Sequence, residues 1–268
     1  MTSPNGRVLI IAGSDSGGGA GIQADIKAVT ALGGYAATAI TAITVQNTLG
    51  VHGVHPLPLD LVEAQARAVL DDIGADAIKT GMLGSVEVVE RVAAVLDTTA
   101  PPAAVAPVMI AKGGHPLLPD AAVEAVRRVM TPRAALLTPN APEAEALTGL
   151  EVADLDGQRR AGEALLALGA QAVLMKGGHV PGETVIDLLL TSTGETLLEG
   201  ERVDTRHTHG TGCTLASACA AGLAKGLPLE VAVAEAWAYV AEAIRRAPGL
   251  GGGQGPLDHG WPLRDAGR

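Results

Sequence analysis

Short apolar runs alternate with helical patterns almost from end to end of the chain. Val8-Leu9-Ile10-Ile11 is a continuous apolar run of the kind that forms a strand buried on both faces. It leads into a glycine loop, Gly13 to Gly21, and a helix that continues to about Leu32 and stops at Gly33-Gly34. Ala36 to Val45, where Thr alternates with Ala and Ile, reads as the next strand. The pattern predicts further strands over Ala75–Thr80, Val105–Ile110, Ala134–Thr138 and Ala172–Lys176. It predicts helices over Leu59–Ile73, Val86–Leu96, Asp120–Met130, Ala141–Leu147 and Gly157–Leu168. Glu183 to Thr205 reads as short antiparallel strands turning at Thr193-Gly194. Two helices follow, Gly212–Lys225, stopped by Gly226, and Pro228–Arg246, opened by its proline. The Gly/Pro-rich tail from Gly249 to Arg268 is expected to be loose in part.

Strand–helix alternation of this length predicts an α/β fold, with a mostly parallel central sheet and helices on both faces. No repeat or linker divides the 268 residues, so one domain spanning 1–268 is expected. Ligands of such sheets bind beyond the carboxyl ends of the strands. Gly13-Ser14-Asp15, Gln46-Asn47, Gly81-Met82, Val108-Met109, Asn140 to Glu143 and Lys176-Gly177-Gly178 all fall at such ends. Their coincidence on one rim says more than any one of them.

Composition narrows the partners. Hydrophobic residues make up 47% of the chain and the mean hydropathy is +0.28, which argues for a packed core. Phe is absent and aromatics are 1%, so the core is aliphatic and few rings can stack on bases. With a formal charge of −10, this argues against nucleic acid and anionic membranes as partners. A small phosphorylated ligand remains compatible, because local N–H groups and one or two cations suffice to hold it. The stretch from Ala28 to Leu59 carries no charged residue. However, Gly33-Gly34, Gln46-Asn47, two histidines and two prolines interrupt it, and no transmembrane segment is expected. Cys213 and Cys219 lie six residues apart on one predicted helix and cannot pair. Without zinc spacing or a signal-type N-terminus, this points to a reducing cytoplasm.

The candidate chemistry concentrates at His209-Gly210-Thr211-Gly212-Cys213. Glycines let N–H groups turn toward one point, and a helix start adds unpaired N–H groups and the positive end of its dipole. That makes a site for an anion such as phosphate, and a cysteine placed there is expected to have a lowered pKa. The same residues also suit a glycine turn into a buried helix with an incidental thiol. A nucleophilic cysteine would need an activating histidine, and nothing in the sequence fixes the geometry of His209. A general base beside an anion-binding turn is the better fit.

The other motifs are less specific. Gly13 to Gly21 lacks the Lys-Ser/Thr of a P-loop and the glycine spacing of a dinucleotide fingerprint. Its five glycines in nine residues are read as close approach of a ligand. Glu143 of Asn140-Ala141-Pro142-Glu143 can offer oxygen to magnesium, although the pattern alone favours a helix cap. Lys176 can reach nucleotide phosphates or end a strand in solvent. The sequence assigns no chemistry to His179 and His209, and Asp187 reads as structural.

In this order the motifs resemble the ribokinase-like superfamily. Within it they are most similar to the hydroxymethylpyrimidine/phosphomethylpyrimidine kinases of thiamine biosynthesis. The resemblance rests on Ile11 to Asp15, Gly18 to Asp25, Gln46-Asn47-Thr48, Lys79 to Leu83 and Pro107-Val108-Met109. It continues through Thr138-Pro139-Asn140, Met175 to His179 and His209 to Thr214. It implies a ribokinase-like three-layer sandwich and a homodimer. It also implies ATP- and Mg2+-dependent phosphorylation of a pyrimidine hydroxymethyl group, then of the resulting monophosphate. By the same resemblance Gly13, Asp25, Thr44, Gln46, Met82 and Val108 line the pyrimidine pocket, and the Gln46 amide suits a ring nitrogen and an amino group. Gly210, Thr211 and Gly212 form the anion hole, and Cys213 replaces the aspartate base of sugar-kinase relatives. Lys176 and Asn140 serve the nucleotide and Glu143 the metal. The chain departs from the family at Ala106, where an Asp is usual, and at Thr44, where relatives carry an apolar residue. The alternatives are a pyridoxal-type vitamin kinase and a weakly active protein that binds the pyrimidine phosphate.

Overall fold

A computed structural model describes residues 5–109 and 118–267 of the chain. Its strands are β1 (Arg7–Ala12), β2 (Tyr35–Ile40), β3 (Ala42–Asn47), β4 (Gly50–Pro56) and β5 (Ala77–Thr80). They continue with β6 (Ala103–Val105), β7 (Leu136–Leu137), β8 (Ala172–Met175), β9 (Thr184–Thr191) and β10 (Gly194–Glu201). Eight of them form one sheet in the order β10-β9-β8-β7-β6-β5-β1-β2, parallel from β2 to β8 and antiparallel at β9 and β10. The helices are α1 (Gly21–Ala31), α2 (Leu59–Asp72), α3 (Val86–Asp97), α4 (Asp120–Ala125), α5 (Ala141–Thr148), α6 (Leu155–Ala167), α7 (Thr211–Ala224), α8 (Leu229–Arg245) and α9 (Trp261–Asp265).

The period-2 geometry of a strand divides the apolar residues between the two faces. Leu9 and Ile11 of β1, Ile78 of β5 and Val105 of β6 join the core that packs against α2 to α6. Val8 and Ile10 of β1 and Ala104 of β6 face α1 and α7 instead. Helix α7 is built from small residues and lies against β1, β5 and β6, between α1 and α8. A Cβ on Gly222 would come within 2.7 Å of Ala232 on α8, so that glycine is set by close helix packing.

The expected α/β sandwich is observed, with four local corrections. The single strand read over Ala36–Val45 is two strands, because the chain leaves the sheet after Ile40. β3 pairs instead with β4 as a separate hairpin. The sequence did not point to β4 because a hairpin standing off the sheet buries little, and its residues lack the apolar run of a core strand. The strand expected at Val105–Ile110 starts and ends earlier: Pro107 has no N–H to give a ladder, Val108 and Met109 follow the strand, and Ile110 lies outside the described residues. The helix expected over Asp120–Met130 passes into a π-helical turn at Val126–Met130.

The tail, expected to be loose in part, folds back onto the core. Leu257 and His259 are buried, Tyr239 donates to the His259 carbonyl at 2.8 Å, and Trp261 stacks on Tyr239. His259 Nε2 lies 2.9 Å from Thr214 Oγ1, in the first turn of α7. Burial, with Lys27 adding to it, lowers the His259 pKa to about 4. The folded state thus holds this imidazole neutral, and its contribution is present above the unfolded value near 6.5 and is lost as pH falls toward 4. Stability is expected to drop by about 2 kcal/mol between pH 7.5 and pH 5 from this group. Urea denaturation of wild type and His259→Gln at the two pH values checks this, and a variant that loses as much as wild type contradicts it.

No helix among the described residues is long and apolar enough to cross a membrane.

Candidate active site

Chain order and sheet order diverge at β1: the chain first runs outward to β2, then returns to β5 on the other side of β1. Such a switch point opens a crevice beyond the strand ends. Here a cavity of about 870 Å³ occupies it, with a predominantly apolar wall and a few convergent polar groups. Of the site residues expected from the sequence, all but Asp25 line this cavity.

At one end stand the loops after β1 and β5 and the hairpin. A Cβ on Gly13 would overlap Met82, so that glycine makes room for the methionine. Thr44 is buried and donates through Oγ1 to the Ser14 carbonyl at 2.9 Å. A register shift between Val45 and Gln46 interrupts the hairpin ladder beside the half-buried Gln46 side chain. Val108 completes this wall with Ala106, which is buried and carries no carboxylate.

His209, given no role from sequence, is the residue that organises this end. Its ring is buried, with Nε2 2.8 Å from Asp15 Oδ2 and 3.2 Å from the Gln46 amide nitrogen. Asp15 in turn accepts the N–H groups of Gly17, Gly19 and Ala20 at 2.7–3.0 Å. Burial opposes ionisation of Asp15, but His209 and the Ala20 and Gly17 amides hold its carboxyl below the usual range. The first glycine loop therefore spends three of its N–H groups on its own aspartate. Its glycines also serve packing between loops. A Cβ on Gly19 would come 2.6 Å from His209 Cδ2, and one on Gly210 would overlap the Gly19 carbonyl. Packing thus accounts for part of the glycine content of the loop, while Gly13, Ala20 and Gly21 line the cavity where a ligand would approach. No local pattern could have revealed the Asp15–His209 pair, because its members are 194 residues apart.

The Gln46 amide thus stands against an imidazole whose Nε2 donates to a carboxylate, so the ring limits where the amide sits and gives it no second hydrogen bond. His209→Ala is expected to raise KM for the substrate that occupies this end of the cavity by about threefold to tenfold, since the loop and the Gln46 side chain lose their packing surface, with a smaller effect on kcat. Steady-state kinetics checks this, and an unchanged KM would confine the contact to folding.

The middle of the cavity is the start of α7. Gly210 has a φ of +84°, the left-handed region that favours glycine, and α7 begins directly after it. The Gly212 and Cys213 N–H groups, in the first turn, have no acceptor within the helix. Lys176, at the end of β8, reaches this turn: its Nζ would lie 3.2 Å from a Cβ on Gly212. Asn140 and Glu143 form a complete capping box on α5, Asn140 Oδ1 accepting from Glu143 N at 2.9 Å and Glu143 Oε2 from Asn140 N at 2.8 Å. The capping reading favoured by the sequence is therefore observed. Glu143 Oε2 also lies 3.5 Å from Lys176 Nζ, so the cap borders the cavity. Asp187 accepts from Gly177 N at 2.7 Å and braces the turn after Lys176; burial raises its pKa to about 6.

Cys213 does not have the lowered pKa expected of a thiol at a helix start. Burial pushes it up and Asp25 adds to that. Lys79, the Gly21 N–H and Lys176 act the other way without overcoming it. Asp25 is not in the cavity wall. It is fully buried behind it, accepting from Lys79 Nζ at 2.7 Å and from Ser217 Oγ at 2.7 Å. A carboxylate beside a fixed ammonium is drawn to that charge, which corrects the expectation that Asp25 lines the pyrimidine pocket.

This arrangement has known counterparts. The family model described as phosphomethylpyrimidine kinase matches residues 15–258. The chain belongs to the phosphomethylpyrimidine kinase family. A hydroxymethylpyrimidine/phosphomethylpyrimidine kinase of Streptomyces coelicolor is 53% identical over 96% of this chain and 95% of its own, and one of Bacillus subtilis is 47% identical over 94% of each. Among solved structures, a Bacillus subtilis pyridoxal kinase in complex with ADP overlays with a TM-score of 0.90 at 37% identity, covering 97% of this chain and 98% of that one. A phosphomethylpyrimidine kinase of Clostridium difficile overlays at 0.80 with 41% identity, covering 89% and 99%. The ribokinase-like fold is common to them.

Proposed function

We propose that this family member transfers the γ-phosphoryl group of ATP to the hydroxymethyl oxygen of 4-amino-5-hydroxymethyl-2-methylpyrimidine, and then to the resulting monophosphate, in thiamine biosynthesis. The observation that carries this reading is one cavity with the Gln46 amide at one end, the Gly210–Cys213 turn at its centre and Lys176 beside that turn. Gln46 and Thr44 hold the pyrimidine with its hydroxymethyl group toward Cys213. The sulfur takes the hydroxyl proton as the oxygen attacks phosphorus. The new O–P bond forms as the bond to the bridging oxygen of ATP breaks, and ADP leaves. The Gly212 and Cys213 N–H groups and the Lys176 ammonium hold the charge on the moving phosphoryl oxygens. Solved pyridoxal kinases of Staphylococcus aureus with ADP and with AMP-PCP support ATP as donor.

Magnesium fits the residues present, though they offer it little. Among the described residues no three His, Cys, Asp or Glu side chains group to hold an ion. Glu143 uses Oε2 for its contacts, which leaves Oε1 for a cation shared with phosphate oxygens, the usual mode for this ion. When bound, it would neutralise phosphate charge. Exposed Ile43, Val45 and Val54 on the hairpin support a homodimer, and the two free cysteines and ATP dependence support a cytoplasmic enzyme.

The overlay with pyridoxal kinases favours pyridoxal as a second substrate. Purified protein with ATP, magnesium and each of hydroxymethylpyrimidine, its monophosphate and pyridoxal distinguishes the readings. Turnover of both pyrimidines at higher kcat/KM than pyridoxal is expected. The reverse order makes the chain a pyridoxal kinase, and binding without turnover makes it a pyrimidine-binding protein.

A further inference from the structure

We infer that Lys79 is a positioning residue for this reaction: its buried ammonium, aimed by Asp25, is the charge that lets Cys213 exist as a thiolate in the cavity wall. The inference rests on reading Cys213 as the base.

Lys79 lies in the central strand β5, opposite Ile10 of β1 and Ala104 of β6, and both neighbours belong to the core that faces α1 and α7. A lysine there is unexpected, since its side chain is fully buried, as is that of Asp25 on α1. Cys213 and Ser217 are one turn apart on α7 and share a face. Ser217 Oγ donates to Asp25 Oδ1 at 2.7 Å, and Lys79 Nζ donates to Asp25 Oδ2 at 2.7 Å. Lys79, Asp25 and Ser217 thus form one buried hydrogen-bonded chain from the sheet to α7, ending one turn from Cys213, and Lys79 and Cys213 line the same cavity.

Stability does not explain the pair, because a buried ion pair is worth no more than well-packed apolar residues of similar volume. Substrate binding does not explain Asp25, which lies behind the wall. What the pair does supply is an oriented dipole whose ammonium end lies in the same cavity wall as Cys213. Burial would lower the Lys79 pKa, yet Asp25 and the Cys213 sulfur hold it above its usual value. The other charged groups that bear on Cys213 are Asp25 itself, which opposes the thiolate, and Lys176, which favours it. Lys176 also faces Glu143 and the nucleotide end of the cavity, whereas Lys79 is fixed in the core by Asp25.

The test replaces the ion pair by a neutral pair of similar size, Lys79→Met with Asp25→Asn, which leaves no isolated buried charge. Cys219 is fully buried with its thiol pushed up to about 12, and a Cys219→Ala background silences it. Thiolate absorbance of Cys213 is followed against pH in both backgrounds, alongside kcat. The Cys213 midpoint is expected to move up by roughly half a pH unit, because Lys79 outweighs Asp25 at the sulfur, with kcat at about pH 8 falling about threefold and recovering as pH rises. A structural role would lower kcat at every pH and leave the midpoint in place, and that result overturns the inference. In wild type, nitrogen NMR of Lys79 is expected to show an ammonium at every pH up to the Cys213 midpoint. A lysine that loses its proton first also overturns the inference, whether or not the double variant folds. Retained turnover in Cys213→Ala would instead remove the base reading, while the titration still reports whether Lys79 governs the thiol.

Discussion

Cys213→Ala is expected to lower kcat by on the order of 10²–10⁴, the usual contribution of one general base. KM for ATP and for the pyrimidine should change little, because the base acts on a proton that moves only in the transition state. The raised pKa of the thiol adds a second signature. Its sulfur is mostly protonated at neutral pH, so kcat of the wild type should climb about tenfold per pH unit from about pH 7 upward until the thiol has titrated. The variant should lose that slope along with the rate. A coupled assay for ADP across this range measures both. Turnover undiminished in the variant rejects Cys213 as the base, and a flat wild-type profile rejects a thiol that must ionise.

The second large effect is on stability. Lys79→Met alone leaves the Asp25 carboxyl fully buried with no cation beside it, and breaking a buried pair in this way costs about 3–5 kcal/mol. Pairing it with Asp25→Asn removes the stranded charge while Ser217 keeps an acceptor, and roughly half or more of that loss should return. Urea denaturation of the two single variants and the double variant gives the coupling directly. Additive losses would mean that the two side chains do not act as a unit. The same comparison separates folding from chemistry, since the double variant regains stability but not the Lys79 ammonium.

The apolar runs made the architecture legible, because a parallel sheet buried on both faces has to be written as short continuous apolar strands. The motifs at the strand ends were legible for the same reason: each marks a point where the backbone leaves the sheet, and the sheet brings those points to one rim. Glycine at 210 and the small residues after Cys213 announced a helix start under close packing, and the structure places that start in the cavity wall. Family membership followed from these local signals taken together.

Contacts that join distant parts of the chain were not legible. His209 looked partnerless because Asp15 lies near the other end of the sequence. Asp25 was expected in the pocket from the resemblance alone, and a motif carries no mark of which way the helix turns its carboxylate. Lys79 read as part of an apolar strand with no role of its own. The thiol of Cys213 was expected to ionise easily because the helix start could be read locally, whereas the burial that outweighs it could not. The sequence by itself determined the layers, the rim and the turn, since these depend on periodicity and backbone freedom. Only the tertiary structure decided which charges stand behind the sulfur, because desolvation and Coulomb energy depend on distances that no spacing along the chain encodes.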